Sequence, residues 1–373
     1  MMSVPTLDNV RSLALQSATR TEPDCCHHMS TVTDPVDIKL LGLFQAETPV
    51  VERPFAVVAD QVGVSENEVL ERVQRLKTAN VIRQISAIFD TRSLGYESSL
   101  VAARVDASRV DEAAAIISQH PGVSHNYLRS HSFNLWYTIA VSPLSTLGLE
   151  KTVTLLHRQS GAESTRLLPT LKLFKIGVKF DVGGESRPDD LDAFVYTEKN
   201  RARDTALTPA EIDFVRVMQR DLPITPTPFV DYAKELGITL PALQALHRQF
   251  LDSGKMRRFA AVLHHRQAGF RANAMGVWAV PGDDAEVNRA GELMATFRAV
   301  SHCYRRPSYP DWPYNIFTMI HGKSREECAQ ALAAIAAKTG IRDHGALYST
   351  KEYKKVRVRY FTDDEQAWET AHQ

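Results

Sequence analysis

The chain has 373 residues, of which 44% are hydrophobic and 24% are charged, a composition typical of a soluble globular protein with two or more domains. Lys plus Arg and Asp plus Glu each total 44, so no bulk positive field draws the chain to DNA or to an anionic membrane. No apolar run reaches the roughly 20 residues of a membrane span. The four cysteines are too few for a disulfide framework, which predicts a cytoplasmic protein.

Residues 1–35 are polar and without periodicity, and we predict a disordered N-terminal extension. The extension contains Cys25-Cys26-His27-His28, which has the residue types of a metal site. Four consecutive ligands rarely close a tetrahedral site, and zinc spacings differ from this one. The interpretation as an unstructured tail is therefore favoured over a metal site.

Residues 36–92 carry the pattern of a winged helix-turn-helix. Two short helical segments precede Gly63, and Ser65-Glu66-Asn67-Glu68 has the form of a capping box that opens a third helix. The apolar run 82–89 then predicts a wing strand. Residues 93–181 alternate between strand and helix patterns in the order βαββαβ, with a final strand over 164–174, which predicts a ferredoxin-like domain.

The same order of patterns occurs a second time. Pro54-Phe55 matches Pro228-Phe229, and Arg83 matches Arg257, at a constant offset. After a polar linker (182–207), we predict a second winged helix-turn-helix (208–266), a second ferredoxin-like domain (267–361) and a C-terminal tail (362–373). The fold class is therefore α+β, with two tandem homologous halves that pack on each other through their sheets as a pseudo-dimer.

The paired helix-turn-helix motifs raise the question of DNA binding. A recognition helix should present basic and amide side chains to the DNA. In the first winged helix-turn-helix, the third helix begins with Glu66, Glu68 and Glu71. The corresponding helix of the second winged helix-turn-helix, at 239–250, is largely apolar. Acidic residues repel a phosphate backbone, so this pattern disfavours DNA binding.

One motif occurs in both ferredoxin-like domains. His125-x-Tyr127-x-Arg129 in the first half matches His302-x-Tyr304-x-Arg306 in the second half. The second copy continues into Tyr309-Pro310-Asp311-Trp312-Pro313-Tyr314-Asn315, which the first half lacks. Guanidinium groups pair with carboxylates, aromatic rings stack on a flat ligand, and imidazoles move protons. We therefore expect a flat ligand rimmed with negative charge.

These motifs resemble the sirohaem decarboxylase branch of the Lrp/AsnC superfamily, and the resemblance covers about residues 36–181 and 208–361. The two halves are similar to the two partner subunits of that branch, fused here in one chain. The resemblance implies removal of the carboxyl groups of two acetate side chains of sirohaem, giving didecarboxysirohaem for haem d1 or alternative haem biosynthesis. It also implies that no cofactor or protein-bound metal is needed, because the iron belongs to the substrate. Further homologous subunits or a homo-oligomer remain open as partners.

Two groups of residues are candidates for this reaction. His125 and His302, with Tyr127 and Tyr304, are predicted to be catalytic, the histidines as proton donors. The predicted substrate-binding residues are Arg129, Arg305, Arg306, Lys175 and Lys354 as cations, and Trp136, Trp312, Tyr314 and Asn315 around the ring. The alternatives are a transcription regulator that senses a small-molecule or tetrapyrrole effector, and a haem-binding carrier.

Overall fold

A computed structural model describes residues 34–176, 204–263 and 272–372. The described chain begins with α1 (Pro35–Ala46), α2 (Pro54–Val62), α3 (Glu66–Thr78) and β1 (Ile82–Phe89). Asp34 caps α1 and Ser65 caps α3, because each side chain accepts backbone N–H groups of the first turn. α2 ends at Gly63, whose φ of 86° lies in the left-handed region. These elements form the first winged helix-turn-helix.

The first ferredoxin-like domain follows with the predicted order of strands and helices. It comprises β2 (Glu97–Arg104), α4 (Val110–Gln119), β3 (Val123–Arg129), β4 (Leu135–Val141), α5 (Gly148–Ser160), β5 (Ser164–Pro169) and β6 (Lys172–Ile176). The helices α4 and α5 bury an apolar face against the sheet, where Ile117 and Leu156 join a core with Val101 and Leu135. The single final strand expected over 164–174 is instead two strands.

The second half repeats this architecture. Its winged helix-turn-helix comprises α6 (Pro209–Met218), α7 (Pro228–Glu235), α8 (Leu240–Asp252) and β7 (Met256–Leu263). Its ferredoxin-like domain comprises β8 (Ala272–Trp278), α9 (Asp284–Ala295), β9 (Val300–Arg305), β10 (Ile316–Gly322), α10 (Arg325–Thr339) and β11 (His344–Lys355). The wing strands β1 and β7 pair antiparallel with each other, so the two winged helices are joined in one unit.

The two ferredoxin-like domains exchange the ends of their last strands. The strand order is β5-β2-β4-β3-β11-β8-β10-β9-β6. β11 pairs with β8 of its own half and then with β3 of the first half. In the same way β5 pairs with β2, and β6, two residues further along the chain, pairs with β9 of the second half. β5 and β6 are consecutive in the chain but lie at opposite ends of this strand order. The two halves therefore share one sheet.

A core shared by both halves fills the space between the sheets. Trp136 and Phe133 of the first half pack there with Trp312, Phe317 and Met275 of the second half. The ring centroids of Trp136 and Trp312 lie 5.1 Å apart. This core confirms that the halves pack on each other through their sheets.

The C-terminal residues differ from the prediction, because most of the expected tail forms α11 (Asp363–His372). Trp368 of this helix is buried in the core of the first ferredoxin-like domain. The carboxylate of Glu365 accepts the backbone N–H of Ser142, and that of Glu369 accepts the N–H of Thr146. This segment has few apolar residues, so the sequence analysis did not identify Trp368 as the residue that anchors a helix. In the described part of the chain, no helix is long and apolar enough to cross a membrane.

Candidate active site

The motif of the first half lies on β3 with alternate residues facing one side. Because successive side chains of a strand point to opposite faces, His125, Tyr127 and Arg129 share the face that looks between the halves. The strand register places His125 opposite Thr138 and Tyr127 opposite Trp136, and Trp136 belongs to the shared core. The spacing of the motif therefore directs its three functional groups to the interface between the halves.

The second-half motif has the matching arrangement on β9. His302 lies opposite Met319, and Tyr304 lies opposite Phe317 of the shared core. Arg306 follows the end of the strand and is buried. The repeat in the sequence thus corresponds to a repeat in space.

A cavity of about 260 Å³ lies beside the second-half motif. Its wall includes Tyr304 and Arg306 of the second half, facing β2, β3 and β4 of the first half. The other polar residues of the wall are Asp90, Thr91, Arg92, Ser98, Ser99, Ser124, Thr138, Thr170 and Arg257. The apolar residues are Leu100, Ile139, Ala140, Leu173, Ile176 and Val358. The cavity is therefore built by both halves and carries three guanidinium groups.

Arg129 and Arg306 are buried cations, with 6% and 8% of their surface exposed. Nη1 of Arg129 donates to the carbonyl of Leu347 at 2.7 Å, and Nη1 of Arg306 donates to the carbonyl of Leu168, so each arginine reaches the other half. Among the described residues, neither guanidinium has a carboxylate partner, and the Nε atom of each has no hydrogen-bond partner. Burial lowers the pKa of both to about 10, so both remain charged at neutral pH. Two such cations suit an anionic ligand.

The two motif histidines are half-buried, and each forms a hydrogen bond with the serine that precedes it in the chain. Nδ1 of His125 lies 3.0 Å from Oγ of Ser124, and Nδ1 of His302 lies 2.8 Å from Oγ of Ser301. Burial lowers the pKa of both imidazoles, and that of His302 falls to about 4. Both rings are therefore neutral at neutral pH before a ligand binds.

The two motif tyrosines lie between a histidine and an arginine. Each phenol ring lies 6.1 Å from the ring of its motif histidine. The guanidinium carbon of Arg129 lies 5.7 Å from the ring of Tyr127, and that of Arg306 lies 4.8 Å from the ring of Tyr304. Burial raises the pKa of both phenols, that of Tyr127 to about 12, so both hydroxyls stay protonated hydrogen-bond donors.

Two other predicted substrate ligands lie outside this cavity. Arg305 faces α9, where its guanidinium pairs with the carboxylate of Asp284, because adjacent strand residues point to opposite faces. The side-chain amide of Asn315 accepts the backbone N–H of Val280 at 3.0 Å and donates to its carbonyl at 2.9 Å. Neither side chain lines this cavity, and their roles in substrate binding stay predictions.

The two predicted lysines lie at equivalent positions but stabilise the opposite half. Nζ of Lys354 donates to the carbonyls of Ser118 and His120 at 2.6 and 3.1 Å, at the C-terminal end of α4. Nζ of Lys175 donates to the carbonyl of Phe297, just beyond α9, at 3.0 Å. A cation at a helix C-terminus is favourable, so the structure gives these lysines a structural contact and leaves them off the cavity wall.

The predicted ring-lining aromatics also lie away from the cavity. Trp136 and Trp312 are 1% and 0% exposed in the shared core. Tyr314 is half-buried, and its ring packs 5.0 Å from that of Trp312. These side chains pack in the core shared by the two halves.

The sequence analysis identified only Tyr304 and Arg306 among the residues of the cavity wall; the polar residues that it missed include Arg92, Arg257, Ser124 and Thr138. Nη2 of Arg257 lies 2.7 Å from Oδ2 of Asp90, and Nη2 of Arg92 donates to a loop carbonyl at 3.0 Å. The sequence match between Arg83 and Arg257 was a signal for Arg257. Arg92, Ser124 and Thr138 had no such signal, because they belong to the wall only when the two halves face each other.

Comparison with protein families gives matches to most of the described fold. A family model for an AsnC-like ligand-binding domain matches residues 93–175 and 267–354. A model described as "Siroheme decarboxylase NirDL-like HTH domain" matches residues 37–83. The fold and the site thus define an AsnC-like protein with two ligand-binding domains in one chain.

Relatives of known function narrow this class. A siroheme decarboxylase of Hydrogenobacter thermophilus is 38% identical over 88% of this chain and 96% of its own length. The siroheme decarboxylase NirDL subunit of Paracoccus denitrificans is 33% identical over 86% of this chain and 96% of its own length. The crystal structure of the siroheme decarboxylase NirDL, at 33% identity, superposes with a TM-score of 0.73 and covers 90% of this chain and 98% of that one. The chain belongs to the sirohaem decarboxylase family.

Proposed function

We propose that this chain is a carboxy-lyase that removes the carboxyl groups of two acetate side chains of sirohaem to give didecarboxysirohaem. The observation that carries the proposal is the pair of buried arginines, Arg129 and Arg306, that have no carboxylate partner among the described residues. A tetrapyrrole rimmed with carboxylates supplies the missing negative charge. A NirDL structure in complex with an iron-uroporphyrin III analogue, at 32% identity and a TM-score of 0.72, supports the same class of ligand.

The arginines hold carboxylates that do not react. A cation on the departing carboxylate would stabilise the ground state and slow its loss. The reacting acetate is therefore placed against the apolar part of the wall, near Leu100, Ala140 and Leu173. Tyr304 adds a neutral hydroxyl donor beside Arg306.

The histidines supply the protons that replace the lost carboxyl groups. As carbon dioxide leaves, the electron pair of the broken bond is delocalised into the macrocycle, and the acetate carbon must then be protonated. His125 and His302 are neutral in the free protein, and the negative charge of bound substrate raises the pKa of an adjacent imidazole. Substrate binding thus converts them into proton donors at neutral pH.

We propose that no cofactor is required, since the iron arrives with the substrate. Within 34–176, 204–263 and 272–372, no group of three His, Cys, Asp or Glu side chains is placed to hold a metal ion. Relatives in Methanosarcina barkeri and Desulfovibrio desulfuricans are named as beta and alpha subunits, and this chain has two homologous halves. We propose that one cytoplasmic chain supplies what two such subunits supply, for haem d1 or alternative haem biosynthesis.

The charged side chains of α3, the recognition helix of the first half, do not favour the alternative of a transcription regulator. In α3, Arg72 pairs with Asp34 at 3.0 Å and Asp37 at 2.9 Å, and Lys77 pairs with Asp221 at 2.6 Å. These basic groups are neutralised within the protein and offer little to a phosphate backbone. A salt-dependent gel shift on promoter DNA would favour a regulator.

Anaerobic incubation of the purified protein with sirohaem, followed by mass spectrometry of the tetrapyrrole, tests the proposed function. We expect the loss of two carboxyl groups. A tetrapyrrole that keeps its mass but changes its absorption spectrum would contradict the enzyme and indicate a carrier or sensor.

A further inference from the structure

A chain of hydroxyl groups connects His125 to the cavity beside the second-half motif. Oγ of Ser124 lies 3.0 Å from Nδ1 of His125 and 2.8 Å from Oγ1 of Thr138. Oγ1 of Thr138 also lies 3.4 Å from the same imidazole nitrogen. The two contacts of Ser124 have ordinary hydrogen-bond lengths, and the direct contact between Thr138 and His125 is longer.

These hydroxyls belong to the first half but face groups of the second half. Ser124 and Thr138 are part of the cavity wall that also contains Tyr304 and Arg306. His125 itself does not line this cavity. The hydroxyl pair is therefore its connection to a substrate held by the second-half residues.

The described residues of the second half (208–263 and 272–361) form no equivalent connection. Ser301 binds His302 as Ser124 binds His125, but Met319 stands opposite His302 where Thr138 stands opposite His125. A thioether donates no proton. The two motifs are thus chemically different despite their matching sequence.

We propose that Ser124 and Thr138 relay the proton of His125 to the substrate carbon, so that both halves serve one cavity. This inference rests on the proposed function. The C–C bond to the departing carboxylate breaks, carbon dioxide leaves, and its electron pair forms the new C–H bond. The proton passes from Nδ1 of His125 to Ser124, the Ser124 proton passes to Thr138, and the Thr138 proton passes to carbon. The neutral imidazole is then reprotonated from solvent.

The charged groups around His125 set the pH range of this relay. Lys355 and Glu352 of β11 and Arg83 of β1 face the imidazole, and the bound carboxylates add negative charge. The cations oppose protonation, whereas Glu352 and the substrate favour it. The relay therefore operates at pH values below the pKa of His125 in the complex, and kcat falls as the pH rises above it.

Thr138→Val removes the hydroxyl with little change in shape and gives the direct test. With sirohaem under anaerobic conditions, we expect kcat to fall about 100-fold while the Kd from absorption titration stays unchanged. The part of the alkaline decrease of kcat that is due to His125 should disappear, since the residual reaction no longer uses His125. Thr138→Ser, which keeps a hydroxyl, should restore most of the activity and the pH profile.

Further variants separate a relay from a structural effect. Thr152→Val removes a buried hydroxyl of α5, which donates to the carbonyl of Gly148 at 2.8 Å, and should leave kcat unchanged. Thr138→Val combined with His125→Gln should lose no more activity than His125→Gln alone, because both break one path. Multiplied losses, or an unchanged kcat in Thr138→Val, would overturn the relay. Inactivity of the unmodified chain would instead overturn the proposed function.

Discussion

Arg306 of the second half donates a hydrogen bond to the carbonyl of Leu168 in the first half. The mirror contact runs from Arg129 to the carbonyl of Leu347 at 2.7 Å. Each half therefore places its buried cation at the boundary with the other half. The guanidinium groups are oriented before substrate arrives, which reduces the ordering cost of binding.

Arg306→Met should weaken sirohaem binding without lowering stability. A hydrogen bond to a charged group contributes about 1.5–3 kcal/mol, so we expect a rise in Kd of about 10- to 100-fold. Arg306→Met loses the hydrogen bond to the carbonyl of Leu168 but also removes a buried cation that has no carboxylate partner among the described residues, and we expect these two effects on the free energy of unfolding to offset each other. Absorption titration and urea unfolding measure the two effects. Arg305→Met is the matched control, because Arg305 pairs with Asp284 away from the cavity; equal losses of affinity would contradict the assignment.

Acid should destabilise the fold through His302. Burial lowers its pKa to about 4, against about 6.5 in an unfolded chain. Between these values the unfolded state binds a proton that the folded state does not, so the free energy of unfolding falls as the pH falls. The slope approaches about 1.4 kcal/mol per pH unit. Urea unfolding at a series of pH values should show a smaller slope for His302→Gln; an unchanged slope would argue against a neutral imidazole in the folded protein.

Lys354→Met should reduce stability and spare substrate affinity. Its Nζ donates to the carbonyls of Ser118 and His120, and Lys354→Met removes this charged donor from both, although the carbonyl of His120 keeps the backbone N–H of Val123 at 3.1 Å. We expect a loss of about 1–3 kcal/mol in the free energy of unfolding. Lys351→Met is the control, because the exposed ion pair with Asp111 contributes at most about 1 kcal/mol. A large rise in the Kd for sirohaem in Lys354→Met would return this lysine to the substrate site.

Removing the anchor of the C-terminal helix should also destabilise the protein. Trp368 is 7% exposed in the first ferredoxin-like core, and Trp→Ala in such a position costs about 3–5 kcal/mol. Hydrogen exchange should show faster exchange in α11 and in the segment around Ser142. Thr370→Ala, on the exposed face of the same helix, should leave exchange unchanged. Unaltered protection in Trp368→Ala would show that the helix does not depend on this anchor.

The sequence predicts the parts of the fold that depend on local pattern. The capped helices and the succession of helices and strands along the chain follow from residues close together in the sequence, and the repeat follows from comparison of the two halves. The motif spacing also predicts that His302, Tyr304 and Arg306 share a face, since alternate residues of a strand do so. The same rule places Arg305 on the opposite face, where it pairs with Asp284.

The remaining features depend on contacts between distant segments. The split of the last strand into β5 and β6 is determined by pairing with two different halves. Lys175 and Lys354 carry charges that suit a carboxylate. In the structure, each ammonium group instead donates to a backbone carbonyl of the opposite half. The relay residue Thr138 belongs to no motif. Its role becomes visible only when the cavity wall is assembled.

The reaction carried out in deuterium oxide tests the central claim most directly. If the chain removes carboxyl groups and protonates each carbon from an exchangeable donor, the product should lose two carboxyl groups and gain one deuterium at each site. Mass spectrometry of the tetrapyrrole measures both changes together. Sirohaem of unchanged mass, or carboxyl loss without deuterium, would contradict a decarboxylase that uses His125 and His302 as proton donors.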